Sequence, residues 1–360
     1  MRRAPLIIAL VGACLCAIGA VAWWRLRTPP ISAESRAAIE HGREIYGRMC
    51  AVCHGEKGEG YKADQAPMLA NAEFLATVSD SFLRKAIADG RQNTTMSAWS
   101  AARGGPLKPT DIEALVQFVR SWESKPRVML NESKPSGRLR RGEPVYFREC
   151  RKCHGDRGVG GPNIAIGNPE LLTSASNGFL RHAIVHGRPG TAMPAFDKKL
   201  DKLVIEDLVL MLRGWEKPKA PPAPPPPKPA PLALGPVPLN PKGRDPADFQ
   251  HHPRMTGVDV VHAALEKKQK LAILDARASS DYLREHIGGS VSVPFYDAER
   301  YLPDLPKDAW LVAYCGCPHA ESGKLAKLLV DKGFKKVTVL DEGIGVWKKK
   351  GYPVATGEKP

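Results

Sequence analysis

Two short runs gather most of the residues able to do chemistry. Cys50, Cys53 and His54 stand as Cys-x-x-Cys-His, and Cys150, Cys153 and His154 repeat the pattern. In a helical turn, residues three and four apart share one face. Two thiols so spaced can bond the vinyl edge of a porphyrin while the next imidazole turns toward its iron. The spacing is that of c-type haem attachment. Cys-x-x-Cys alone also serves zinc sites and redox dithiols. The histidine directly after each pair, the duplication, and a methionine in a loop well downstream of each weigh for haem.

A third site lies near the other end of the chain. Cys315 ends the apolar run 310–314 and is followed by a short loop and a helical pattern from residue 322. Successive backbone N–H groups of such a loop, with a helix dipole behind them, stabilise an anionic sulfur. A thiolate so placed can attack a sulfane sulfur and hold it as a persulfide. Cys317 adds a thiol that could resolve that persulfide into a disulfide, or bind a soft metal together with His319.

The elements that position these groups repeat. GREIYGRMCAVCHGEKGEG from Gly42 is echoed by GEPVYFRECRKCHGDRGVG from Gly142. Phe82-Leu83-Arg84 parallels Phe179-Leu180-Arg181, Gly90-Arg91 parallels Gly187-Arg188, and Ala66-Pro67 is matched to Gly161-Pro162. Each copy closes with an amphipathic helical pattern ending in tryptophan, over 111–122 and 203–215. A cluster of Pro, Ser, Asn and Gly near 126–137 marks the boundary between them.

The chain has 360 residues, a formal net charge of +15 and eight cysteines in four close pairs. That length implies two or three domains, and close cysteine pairs are not a disulfide framework. The positive charge is dispersed and no nucleic-acid motif accompanies it, so no nucleic-acid partner is expected. From Ala4 to Trp24 the chain is apolar and uncharged, long enough to cross a bilayer of about 30 Å. Trp23 and Trp24, then Arg25 and Arg27, mark a stop-transfer end rather than a cleaved leader. Cys14 and Cys16 lie inside this stretch as inert thiols, with lipidation of Cys14 the second reading. Residues 217–246 are dominated by proline, which predicts an extended polyproline II spacer holding the last domain away from the haems. Beyond 258, strand patterns at 271–275, 310–314 and 337–340 alternate with helical patterns at 322–332 and 344–350. This argues for a parallel sheet covered on both faces.

Residues 35 to 215 resemble two class I cytochrome c domains in tandem. The resemblance implies that Ala66-Pro67-Met68-Leu69 and Gly161-Pro162-Asn163-Ile164 pack by the haem edges, and that the distal iron ligands are Met96 and Met193. The family favours proline after that methionine; Pro194 conforms and Ser97 departs. Met49 and Met68 are read as packing residues, and His41, His182 and His186 stay unassigned. His/Met ligation fills both axial positions, which suits electron transfer rather than oxygen chemistry.

Residues 258–356 resemble a rhodanese domain through Leu274-Asp275-Ala276-Arg277, Glu285-His286-Ile287-Gly288-Gly289, Gly333-Phe334, Leu340-Asp341-Glu342-Gly343, Trp347 and Gly351-Tyr352-Pro353-Val354. The resemblance makes Cys315 the sulfur acceptor and Asp275, Arg277 and His286 scaffold. Pro318 and Ala320 stand where family loops often carry glycine and arginine, so any anion-binding charge falls to His319 or Lys324.

The expectation is a multidomain chain: a transmembrane helix (1–28), two all-α cytochrome c domains (35–125 and 137–216), a proline-rich linker (217–250), and an α/β rhodanese-like domain with a parallel sheet (256–357). It would carry two covalently bound haem c groups, with iron held by His54 and Met96 and by His154 and Met193. A single pass would anchor it in the inner membrane of a bacterium, its soluble domains in the periplasm. Its partners would be redox proteins of a respiratory or sulfur-oxidising chain and a small sulfur compound. The last domain would act as a sulfurtransferase coupled to the haems, as one uncoupled from them, or as a non-catalytic or dithiol-sensing module.

Overall fold

The computed structural model describes residues 32–360 apart from 64, 217–231, 233, 235, 317 and 318. The expected anchor and Cys14 and Cys16 lie outside the described residues, as does Cys317. Among the described residues no helix is long and apolar enough to cross a membrane.

The first repeat contains helices α1 (Ala33–Met49), α2 (Ala51–His54), α3 (Ala72–Thr77), α4 (Asp80–Asp89) and α5 (Pro109–Arg120). Side-chain oxygens start three of them: Ser32, Asn71 and Ser79 accept from the backbone N–H groups of Ser35, Phe74 and Phe82. Proline opens α5, where its missing N–H costs nothing. The second repeat follows the same plan with α6 (Leu139–Glu149), α7 (Arg151–His154), α8 (Pro169–Ser174), α9 (Asn177–His186) and α10 (Lys202–Gly214). The closing helices begin and end one or two residues before the apolar pattern suggested.

First and last helices of each repeat cross at a glycine. A Cβ on Gly42 would lie 2.1 Å from the Ala114 carbonyl oxygen, and one on Gly142 would lie 2.6 Å from that of Asp207. No other residue permits this approach. Near the end of each closing helix an arginine satisfies carbonyls that the short helices leave open. Arg120 donates to Leu75 and Val78, and Arg213 to Leu172 and Ala175.

The repeats face each other about an approximate two-fold axis. The Asn71 amide donates to the Pro189 carbonyl, and the Asn168 amide to that of Gln92. Phe82 and Phe179 pack at 5.4 Å between them, inside one apolar cluster shared by both repeats.

The C-terminal unit comprises β1 (Met255–Thr256), α11 (Val258–Glu266), β2 (Leu271–Asp275), α12 (Ser279–Arg284), β3 (His286–Ile287), β4 (Ser290–Ser292), β5 (Trp310–Tyr314), α13 (Ala320–Asp331), β6 (Val337–Leu340), α14 (Gly343–Lys349) and β7 (Val354–Ala355). Its main sheet runs β1-β6-β5-β2-β4, every pair parallel. All residues of β2, β5 and β6 are buried, as their unbroken apolar runs require of a sheet covered on both faces.

One expectation is corrected. The proline-rich segment does not hold this unit away from the first repeat, because the two pack directly together. Trp99 meets Tyr296 at 5.6 Å, and Ile45, Tyr46 and Leu115 belong to the same apolar cluster as Leu274, Val293 and Leu325. Burying these aromatic and aliphatic faces outweighs the freedom that a spacer would permit. The described end of the linker lies on the C-terminal unit, where Tyr301 donates to the Leu232 carbonyl at 3.1 Å.

Candidate functional sites

In both repeats the Cys-x-x-Cys-His run is one turn of helix closed by a left-handed glycine, Gly55 or Gly155. Both histidines are buried. His54 Nδ1 lies 3.0 Å from the Pro67 carbonyl oxygen, and His154 Nδ1 lies 2.9 Å from that of Ile164. A carbonyl can only accept, so each Nδ1 carries the proton and Nε2 keeps its lone pair. Neither Nε2 has a hydrogen-bond partner among the described residues. Burial pushes both imidazoles below their ordinary value, which keeps them neutral and able to ligate.

The second acceptor refines the sequence alignment. Ile164, not Pro162, occupies the place of Pro67, because the loop between the histidine and the next helix is shorter in the second copy. Two further contacts hold each turn. Tyr46 and Tyr146 donate to the Gly55 and Gly155 carbonyls at 2.7 and 2.8 Å. Trp122 and Trp215 close edge-on over these tyrosines.

Cys50 and Cys150 are not poised as the reactive thiol of a redox dithiol. Burial pushes Cys50 up to about 12 and Cys150 up to about 11, whereas reactive pairs are lowered. Nor do three or more His, Cys, Asp or Glu side chains converge as a metal site among the described residues. Half-buried thiols beside a neutral histidine with a free lone pair fit a thioether-bound haem.

Met96 and Met193 occupy matching loops. Arg91 N–H donates to the Met96 carbonyl and Arg188 N–H to that of Met193, both at 2.9 Å, and the methionine N–H groups donate to Thr94 and Thr191 hydroxyls. Met96 packs against the cluster that holds Cys50 and Trp122, and Met193 against that of Cys150 and Trp215. Arg91 and Arg188 lie 5.1 Å over the rings of Phe82 and Phe179. Burial lowers each to about 10, and neither has an ion-pair partner among the described residues. Two half-buried cations at matching positions suit the propionates of a haem. Sequence reasoning missed both, although their shared Gly-Arg spacing was visible.

The unassigned residues have other duties. His41 bonds Asp111 at 2.8 Å, His182 bonds Glu73 at 3.0 Å and His186 packs on His182. Met49 is core, and the Met68 sulfur lies 3.9 Å from the Asn71 amide.

Cys315 stands at the C-terminal end of β5, 1% exposed, its sulfur 3.3 Å from the Ser322 hydroxyl in the first turn of α13. Beneath it, Arg277 grips Asp275 and the Glu285 carbonyl, and Tyr314 donates to Asp275 at 2.6 Å. His286 stacks on Tyr282 at 3.8 Å. These contacts make Asp275, Arg277 and His286 scaffold. The charges expected to face an anion are engaged elsewhere: His319 meets Asp341 at 3.1 Å and Lys324 lies over Phe295. Glu321, which the sequence did not single out, is buried nearby, and burial with the Cys315 sulfur holds its carboxyl well above the usual range.

Residues 37–119 and 137–210 match the family described as cytochrome c oxidase, cbb3-type, subunit III, and residues 258–350 match the rhodanese-like domain. The chain is a tandem cytochrome c fused to a rhodanese-like domain. Over 197 residues the fusion is 28% identical to the cbb3-type cytochrome c oxidase subunit CcoP of Azospirillum sp. (strain B510), covering 49% of this chain and 62% of that subunit. It therefore spans less than two thirds of the length of this relative. Cytochrome c55X of Stutzerimonas stutzeri is 40% identical over 75 residues, covering 21% of this chain and 66% of that protein. A rhodanese-like domain from Anabaena sp., solved in solution, is 29% identical with a TM-score of 0.27, covering 28% of this chain and 78% of that one. Cytochrome c domains imply covalently bound haem c.

The two cytochrome halves of the fusion differ at their surfaces. Phe147 and Val159 are 64% and 73% exposed beside the second attachment turn, where the first copy carries Gly47 and Glu59.

Proposed function

We propose that the chain is a dihaem electron carrier on the outer face of a bacterial inner membrane, working with a C-terminal domain that accepts sulfane sulfur on Cys315. The observation that carries this reading is the pair of buried histidines, each with Nδ1 tied to a backbone carbonyl and Nε2 left for a metal, beside two half-buried thiols.

Cys50 and Cys53 would hold one haem through thioethers, with His54 and Met96 holding its iron and Arg91 its propionates. Cys150, Cys153, His154, Met193 and Arg188 would hold the other. Haem c with His/Met ligation passes single electrons and leaves no open coordination position. The chain supplies the rest: Tyr46 and Tyr146 fix the attachment turns, and the facing repeats hold the two sites in one frame.

At Cys315 the thiolate would attack the outer sulfur of a sulfane donor. An S–S bond forms to Cys315, the donor's S–S bond breaks, and the donor leaves as a thiol. The segment 1–28 would anchor the protein, and redox proteins of a respiratory or sulfur-oxidising chain would be its partners. The burial of Cys315 favours a second reading, in which the domain is loaded without turning over.

Mass spectrometry of the denatured chain tests the haem reading: two covalent haem increments are expected, one lost in Cys50→Ser/Cys53→Ser. A chain that releases all its haem to acidified acetone would overturn it. Transfer of sulfur to cyanide, absent in Cys315→Ser, separates turnover from simple loading.

A further inference from the structure

The two methionine loops are held alike at both ends and differently in the middle. Up to each methionine the bonds correspond: Arg91 and Arg188 N–H reach the Met96 and Met193 carbonyls, and the Thr94 and Thr191 hydroxyls accept from the methionine N–H groups. Three residues further on, the chain is fixed again in the same way. Trp99 N–H donates to the Ile87 carbonyl and Phe196 N–H to that of Ile184, both at 3.1 Å. The residues between are Ser97-Ala98 in the first copy and Pro194-Ala195 in the second.

In the second copy the restraint is built into the chain. The ring of Pro194 fixes its own φ and steers the residue before it, Met193, toward extended backbone. Both Pro194 and Ala195 are exposed. Serine imposes neither restriction. Ser97 and Ala98 are instead gripped from outside by α12 of the rhodanese-like domain. Ser97, only 3% exposed, donates its hydroxyl to one Asp281 carboxylate oxygen, and Ser280 donates to the Ala98 carbonyl at 2.6 Å. Arg284 donates to the other Asp281 oxygen, so the acceptor is itself held in place. The contact continues along the loop, where Ser279 donates to the Gly104 carbonyl at 2.7 Å and Trp99 meets Tyr296.

We infer that Asp281 is a positioning residue for the first haem: through Ser97 it fixes the backbone that carries Met96, the duty that Pro194 performs within the second copy. The inference rests on the reading of Met96 as iron ligand. A domain that follows the linker thereby completes a site in the first repeat. Added imidazole competes with the thioether for iron, and that competition measures how firmly the loop holds the methionine in place. Loss of a hydrogen bond to a charged acceptor shifts such a balance by about tenfold. The second site, restrained by its own proline, does not respond to Asp281.

The test follows the methionine-to-iron charge-transfer band of the ferric full-length holoprotein at neutral pH while imidazole is added. In a Met193→His background the remaining band reports Met96 alone. Adding Asp281→Ala there should abolish the band at about one tenth of the imidazole otherwise needed. Asp281→Asn, whose amide oxygen still accepts from Ser97, should stay near the parent. Asp281→Ala with Ser97→Pro should recover most of the resistance, a rescue that mere loosening of the rhodanese-like domain would not allow. With Met193 intact, Asp281→Ala should sensitise only half of the band. Unchanged resistance in Asp281→Ala, or no recovery on adding Ser97→Pro, overturns the positioning role and leaves Met96 as ligand. A Met193→His protein that carries both haems by mass but shows no band removes the ligand reading, and the inference with it.

Discussion

The side-chain amide of Asn71 donates to the Pro189 carbonyl at 2.8 Å, and that of Asn168 returns the same bond to the Gln92 carbonyl at 2.9 Å. Each asparagine also caps the short helix behind it, at 3.0 Å from the N–H of Phe74 or Leu171. One residue type thus starts a helix and ties it to the methionine loop of the opposite repeat.

Removing either should have nearly equal effects. Asn71→Ala and Asn168→Ala each lose a cap and a bridging bond, about 1–3 kcal/mol together. Urea unfolding of the holoprotein should show similar drops in midpoint. A large loss in one variant with none in the other would contradict the two-fold arrangement.

The glycine crossings should be unequal. Gly42→Ala puts a methyl 2.1 Å from a backbone oxygen, against 2.6 Å for Gly142→Ala. Overpacking costs about 1–3 kcal/mol, with Gly42 the worse. Thermal unfolding monitored by circular dichroism reads the order directly, and equal stabilities would refute it.

Glu73 predicts a pH dependence. Lys125 and then His182 hold its carboxyl at about 2, well below the ordinary carboxylate value. Burial lowers His182 itself, so at neutral pH that partner is a neutral N–H donor and Lys125 carries the charge. A depressed folded-state pKa gives stability that is complete above the unfolded pKa and lost as pH falls toward 2. Glu73→Gln should therefore be less stable than the parent at pH 7 and nearly as stable near pH 2. A gap that persists unchanged in acid would exclude this cause.

In the C-terminal domain, Arg277→Ala would strand the Asp275 carboxylate beneath Cys315. Leaving a buried charge unpaired costs about 3–5 kcal/mol. Limited proteolysis should cut the variant within 258–350 while its haem spectra persist. Resistance equal to the parent would mean that the ion pair is dispensable.

The sequence made some features plain for physical reasons. Attachment turns need adjacent residues only, so Cys50 to His54 and Cys150 to His154 could be read without a fold. Buried parallel strands announce themselves as unbroken apolar runs, and β2, β5 and β6 lie at 271–275, 310–314 and 337–340 as expected. What stayed hidden joins residues far apart in the chain. Ser97 looked like a lapse from a pattern until Asp281 was found against it. Glu321 looked like any acid at a helix start, and only burial sets it apart. The carbonyl of Ile164 replaces that of Pro67 because a loop shortened, which an alignment anchored on prolines cannot reveal.

The exposed Phe147 and Val159 beside the second attachment turn have a consequence for how the copies meet solvent. The first cytochrome has its twin on one flank and the rhodanese-like domain on the other. The exposed apolar surface lies at the second, where Arg151 lies 4.5 Å over the Phe147 ring. Duplication has thus yielded one copy hemmed in by its neighbours and one with an apolar face turned to solvent, and two side chains and a lodger mark the difference.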